Sequence, residues 1–274
     1  MGNNFKLFAS AAFLTFTQSA FAFMTHDEVL ADFVNPAPHH QVGYASGARR
    51  PASFQKVGSR PLQSISSDIP SEVDLRKFDA PVVTQPGPTC TAFGTAAAID
   101  NMLHQKGLSR NISEQHLWSF YQEYDVDSAF AAAQKNFLTE EQYWPIDANK
   151  PKSDYRNHAN VRMLQSTSHD DDVNAALQAL SQNHPVVIAL QVSKSLYNCD
   201  SSVSPTSKKY GGGHVVEVAG YKLDPKVSGG GYFILKNSWG NDCGDKGYQY
   251  YPFSLCSRND LYCYFIEVND VQGN

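Results

Sequence analysis

Three residues that lie far apart in this 274-residue chain could together carry out nucleophilic acyl transfer: Cys90, His214 and Asn237. Cys90 follows Gln85-Pro86-Gly87-Pro88-Thr89 and opens an Ala-rich stretch whose apolar spacing predicts a helix over 90–105. A thiol at a helix N-terminus faces the positive end of the backbone dipole, which favours thiolate. The unpaired N–H groups there can also stabilise an oxyanion. The bland alternative is a small buried apolar cysteine. A thiol nucleophile needs a base, and His214 is the best candidate. It follows Gly211-Gly212-Gly213, which gives close access, and it starts an apolar run that would hold it rigidly. Asn237 comes 23 residues later, at the end of the next expected strand. Its amide can bond the far imidazole nitrogen and aim the ring without adding charge. Trp239 could then shield that bond from water.

The elements that must position these residues change period along the chain. Helices are expected over 90–105, 113–124, 129–136 and 170–183; the last has Val173, Ala176, Leu177 and Leu180 as its apolar stripe. Strands are expected over 185–192, 214–221, 232–236, 247–251 and 262–268, all rich in β-branched or aromatic residues. Helices first and strands later is the order of an α+β fold, with a cleft between the two halves.

The N-terminus reads as an export signal. Met1 to Lys6 carries one positive charge, and Leu7 to Ala22 is an uncharged, largely apolar run ending in Ala20-Phe21-Ala22. Sixteen such residues are too few for a membrane span of about 20, so cleavage after Ala22 is expected. That makes the mature protein secreted or periplasmic, with no membrane segment. Residues 23–68 differ in character from the rest of the chain. A short helix over 25–33 is expected, then breaks at Pro36 and Pro38, then a basic stretch with Arg49, Arg50, Lys56 and Arg60 and a hairpin between 42–44 and 53–57. This segment is read as an inhibitory pro-segment, 23–68, ahead of a catalytic domain over 69–274. A net charge of −5 gives no basic footprint for nucleic acid.

Five cysteines cannot all pair. Cys256 and Cys263 bracket a short step between strands and favour a local bridge, which leaves Cys199 with Cys243 among the three connectivities open to four thiols. No C-x-x-C occurs, so no zinc site is expected. Asp170-Asp171-Asp172 reads as the acidic start of a helix, and the glycine triplets at 211–213 and 229–231 lack the G-K-[ST] that a phosphate cradle needs.

Several segments in order resemble the papain-like cysteine peptidases. They are Ile69 to Arg76, Gln85 to Phe93 around the thiol, Ile112-Ser113-Glu114-Gln115, Gly212 to Val216 with Gly220-Tyr221, and Lys236 to Gly240 with Gly244 to Tyr248. The resemblance implies a helical subdomain packed on an antiparallel barrel-like sheet, with the active cleft between them. It implies Cys90 as nucleophile, His214 as general base and then acid, Asn237 as orienter, and Gln85 as an oxyanion donor. Gly213 and Trp239 are the residues expected to meet substrate. The implied reaction is peptide hydrolysis through a thioester on a peptide or protein substrate, by a monomer without cofactor or metal, held inactive by its own pro-segment.

The chain departs from the family pattern in places. Gly87 stands where a second cysteine is usual, Thr91 where an aromatic is usual, and Gln85 is one residue closer to the thiol than usual. The pro-segment is also shorter than in the best-known members. A catalytically silent binding protein on the same fold, and a peptide ligase or amidase, stay open as alternatives.

Overall fold

The computed structural model describes residues 22–34, 48–51, 54 and 68–273. The export signal up to Phe21, and most of the hairpin expected within 42–57, lie outside the described residues. In chain order the elements are α1 (His26–Val34), β1 (Glu72–Asp74), α2 (Cys90–Gln105), α3 (Glu114–Ser119), α4 (Val126–Lys135), β2 (Val161–Ser168) and α5 (Val173–Ser181). They continue with β3 (Val186–Ser193), α6 (Lys194–Tyr197), β4 (Lys209–Leu223), β5 (Gly231–Lys236), β6 (Tyr248–Pro252) and β7 (Cys263–Gly273).

The strands form one antiparallel sheet in the order β2-β7-β3-β4-β5-β6, with β1 added against β4. Where the family resemblance implies a barrel-like sheet, this one is open: no pairing joins β2 to β6 among the described residues. The middle strand β3 is buried on both faces, as its continuous apolar run requires. Val187 and Ala189 point into a core shared with α2 and α4, while Val186, Ile188 and Leu190 point into a second core with Leu177 and Leu180 of α5. Helical half and sheet half therefore meet across β3 and β4.

Local chemistry sets the element ends. Asp172 caps α5 by accepting the Ala175 N–H, which accounts for the acidic run before it. Asp170 and Asn183 both take left-handed backbone, so the helix is shorter at each end than the expected 170–183, while its apolar stripe lies wholly within it. Gln122 does the same after α3 and ends the stretch expected to stay helical to Tyr124. The two favoured disulfides, Cys199–Cys243 and Cys256–Cys263, are both formed.

The approach of α2 to β4 depends on a glycine. A Cβ on Gly94 would lie 2.9 Å from Val215 Cγ1 and 3.1 Å from the backbone of Val215 and Val216. Gly94 is one helical turn beyond Cys90, and Val215 follows His214. The missing side chain thus lets the helix that carries the thiol lie directly on the strand that carries the imidazole. Gly94→Ala is expected to lower stability in urea unfolding by about 1–3 kcal/mol through overpacking. An unchanged midpoint would show that this contact has slack.

Candidate active site

Cys90 is the first residue of α2, wholly buried, and the one cysteine outside a disulfide among the described residues. Thr89 precedes it without capping the helix through its side chain; its hydroxyl donates to Pro86 O instead, at 2.9 Å. The positive helix end is therefore left to the thiol. Two phenols stand near it. Tyr121 and Tyr262 are both held far above the ordinary tyrosine range, mainly by burial and further by the neighbouring Cys90. Thr91 is wholly buried, and its hydroxyl meets Tyr121 Oη at 2.8 Å, tying the start of α2 to the loop after α3.

His214 lies on β4, opposite Leu190 of β3. Its Nε2 is 2.9 Å from Asn237 Oδ1, and a chain of bonds behind that contact determines where the protons sit. Gln249 Nε2 donates to Leu196 O at 3.2 Å and Asp200 O at 2.8 Å, so its Oε1 is the acceptor. That oxygen accepts Asn237 Nδ2 at 2.7 Å, and the Ser238 N–H donates to Asn237 Oδ1 at 2.7 Å. With Oδ1 thereby an acceptor, the neutral imidazole must carry its proton on Nε2. Nδ1 keeps its lone pair, buried and with no hydrogen-bond partner. The Trp239 ring stacks on the imidazole at 4.4 Å between centroids and is itself wholly buried. Burial pushes His214 down to about 4, against the opposing Asn237 hydrogen bond.

Gln85 is held from two sides. Its Oε1 accepts the Ser238 hydroxyl at 2.7 Å, and its Nε2 donates to Gly87 O at 2.6 Å. One N–H of the amide expected at the oxyanion is thus committed to the loop before Cys90.

Gly213 and the segment ahead of residue 69 meet directly. Ala48 N donates to Gly213 O at 3.0 Å and Gly213 N to Ala48 O at 3.1 Å. Arg49 N donates to Tyr124 O on the helical side at 2.6 Å. Phe54 is buried against Tyr262 and Tyr264, with centroids 5.8 and 6.1 Å away. A Cβ on Gly213 would run into the Tyr262 hydroxyl and Ala48 O, so only glycine fits. Ala48 to Pro51 and Phe54 therefore form a strap from the strand of His214 to the loop after α3.

Behind His214 and Asn237 the seam is polar. Glu217 faces Lys236 across β4 and β5 at 3.9 Å, and Asp100 of α2 accepts the Ile112 N–H at 2.8 Å. Burial drives Glu217 and Asp100 well above the carboxylate range. Asp79 adds to this for Glu217, and Lys236 opposes it at both. The cohesion these protonated groups give is complete in acid and is lost as pH rises through their raised values.

The structure brings together His214, Asn237 and Trp239, sets Gln85 against Ser238 beside them, and pairs Gly213 with the strap. Sequence reasoning passed over Gln249, Gly94 and Tyr121. A glutamine in the aromatic run Tyr248 to Tyr251 was the available signal for the first, since a polar residue buried in such a strand needs a specific partner. Other described histidines have structural partners: His104 bonds Phe78 O, His116 accepts the Thr139 N–H, His158 stacks on Tyr143, and His169 and His184 share Glu267.

This architecture is that of a known family. Residues 69–260 match the model of the papain family cysteine proteases, and the chain belongs to that family. It is 27% identical over 205 residues to Peptidase 1 of Dermatophagoides farinae, covering 68% of this chain and 62% of that protein. It is 30% identical over 218 residues to the low-temperature-induced cysteine proteinase of Solanum lycopersicum, covering 74% and 62%. The chain thus spans less than two thirds of the length of these curated relatives. In fold it is similar to xylellain, a cysteine protease from Xylella fastidiosa, with TM-score 0.61 and 18% identity over 84% of this chain and 97% of that one. It is also similar to digestive procathepsin L2 from the larval midgut of Tenebrio molitor, with TM-score 0.64 and 21% identity over 89% and 81%.

The Gln249 amide fixes Asn237, and through it the imidazole. Gln249→Leu is expected to lower kcat on a peptide substrate by up to about 100-fold through misplacement of the ring, with KM little changed. An unaltered kcat in a variant with a native circular dichroism spectrum would show that Asn237 orients the ring unaided.

Proposed function

We propose that the protein is an exported cysteine peptidase, made as a zymogen, that hydrolyses peptide bonds in a peptide or protein substrate. The observation that carries this reading is the bonded His214–Asn237–Gln249 chain, which leaves Nδ1 as the only basic nitrogen of the ring, together with the reduced thiol of Cys90 at an uncapped helix start. His214 Nδ1 takes the thiol proton as Cys90 Sγ attacks the scissile carbonyl. The resulting imidazolium, held by Asn237, gives that proton to the leaving amine. Water then attacks the thioester, His214 again acts as base, and the acid product leaves with Cys90 restored. The Cys90 N–H and the Gln85 amide are the donors suited to the oxyanion. Gly213 would pair with substrate backbone as it now pairs with Ala48, and Trp239 would keep water from the imidazole–amide bond. The protein would act as a monomer, without cofactor.

Residues 23–68 are the inhibitory segment in this reading, with the strap over the cleft as its working part. Export through a signal cleaved after Ala22 suits the two disulfides, which persist in oxidising compartments. No described helix is long and apolar enough to cross a membrane. The alternative of a catalytically silent binding protein draws on the commitment of Gln85 Nε2 to Gly87 O.

The strap pairs with Gly213, next to the buried His214, and to the extent that its release exposes the ring that release depends on pH. Beneath the cover the imidazole resists protonation down to about 4, whereas an uncovered one titrates near 6.5 or above. The covered state binds fewer protons between those values, so acid favours release. Cleavage of the Arg49-Arg50 region by an added trypsin-like protease should therefore accelerate as pH falls from about 6.5 toward 4, after normalisation to an unfolded substrate; a flat rate would refute the linkage. With residues 23–68 removed, an active-site thiol probe should label Cys90. No labelling in a folded protein with His214 intact would sink the peptidase reading in favour of the silent one.

A further inference from the structure

The segment ahead of residue 69 has a second described part that does not touch the catalytic groups. Helix α1 packs at the β5–β6 end of the sheet. Its start is a capping box: Glu28 Oε2 accepts the Thr25 N–H at 2.6 Å, and Thr25 Oγ1 accepts the Glu28 N–H at 3.4 Å. From that start, Val29 is 1% exposed, and with Leu30 and Phe33 it packs on Tyr232, Ile234 and Tyr250.

That packing answers a need written into β5 and β6. Phe233, Leu235 and Tyr251 fill the core within the sheet half, while the alternate residues Tyr232, Ile234, Tyr248 and Tyr250 form an aromatic patch on the opposite face. A strand pair apolar on both faces must be covered on both. The cover is also bonded in place. Asp32 Oδ2 accepts the Ser202 N–H at 2.8 Å, and the Ser202 hydroxyl donates to Val29 O at 3.1 Å. His26 bridges Asp224 at 2.8 Å and the Tyr232 hydroxyl at 3.0 Å. Met24 N donates to Asp245 Oδ2 at 2.7 Å, and the Arg76 guanidinium lies over the Phe23 ring at 4.1 Å.

We propose that α1 is a lasting part of the active peptidase: when the strap is cut away, residues 23–34 stay docked on the β5–β6 face as a second, non-covalent chain. This rests on the zymogen reading only in taking the strap as the part that must leave. Uncovering the cleft asks nothing of α1, because none of its described contacts is to Cys90, His214 or Asn237. Losing it would expose the aromatic patch and leave the Asp224, Asp245 and Ser202 partners to water. The leader thus divides into a structural anchor and a removable inhibitor.

The test uses the chain with Cys90→Ser, so that no self-cleavage intervenes, and with a site-specific protease sequence placed within residues 36–46. After cutting, native mass spectrometry and size exclusion in non-denaturing buffer should find the N-terminal peptide with the body, and denaturant should separate them. The double change Val29→Asp and Asp32→Ala should release the peptide under the same native conditions. A wild-type peptide that elutes alone while the body stays soluble and folded by circular dichroism overturns the proposal. A second cut site within residues 55–66 in the Cys90 protein frees the strap and reads activity separately. Inactivity there would fail the peptidase reading, while retention or loss of the peptide still judges this one.

Discussion

Everything the site does depends on one close approach, that of α2 to β4 at Gly94. The thiol and the imidazole belong to different halves of the molecule, joined by a core that α2 and α4 share with the sheet, while a second core lies within the sheet half. Neither half can set the distance between them alone. Contact at the backbone of Val215 and Val216 does so, because it leaves no side chain to adjust the spacing. The polar groups just behind it reinforce the seam in a pH-dependent way. Glu217 and Asp100 tolerate burial by holding protons, with Lys236 nearby to offset charge.

The second constraint is the direction of a hydrogen-bond chain. It starts from two backbone carbonyls, of Leu196 and Asp200, that oblige Gln249 to accept through Oε1. From there each donor and acceptor is decided in turn through Asn237 to His214 Nε2. A neutral amide suits this position because it can donate at one end and accept at the other without adding charge to a buried site. The Cys199–Cys243 disulfide and Trp239 wall the same network off from solvent. The fifth cysteine, Cys90, stands apart at the positive end of α2 and outside any disulfide.

Much of this was legible in the sequence. The helix over 90–105 and its thiol, the five apolar strands, the start of the N-terminal helix and both disulfides all follow from period, spacing and charge. Strand β2 did not, because only Val161 and Met163 among its eight residues are buried and its register with β7 shifts twice. Its partner, the end of β7 from Asn269 to Gly273, is polar and reads as a loop. Both form because each satisfies the other's backbone, which no local pattern records. Gln249 was hidden for a related reason: its role lies in contacts to residues 49 and 53 positions away.

Residue types and order alone determined that a thiol set apart from the other four, a histidine behind glycines and an asparagine before a tryptophan could form a catalytic set. They also marked out a basic, proline-broken leader. What only the tertiary structure decided is which nitrogen of His214 carries the proton, and that Gly94 is the point where the halves meet. It also decided that residues ahead of 69 divide into a strap paired with Gly213 and a helix packed on the β5–β6 patch. The reason is physical. Chemical identity is local to a residue, but protonation, close approach and coverage depend on neighbours that folding brings from across the chain.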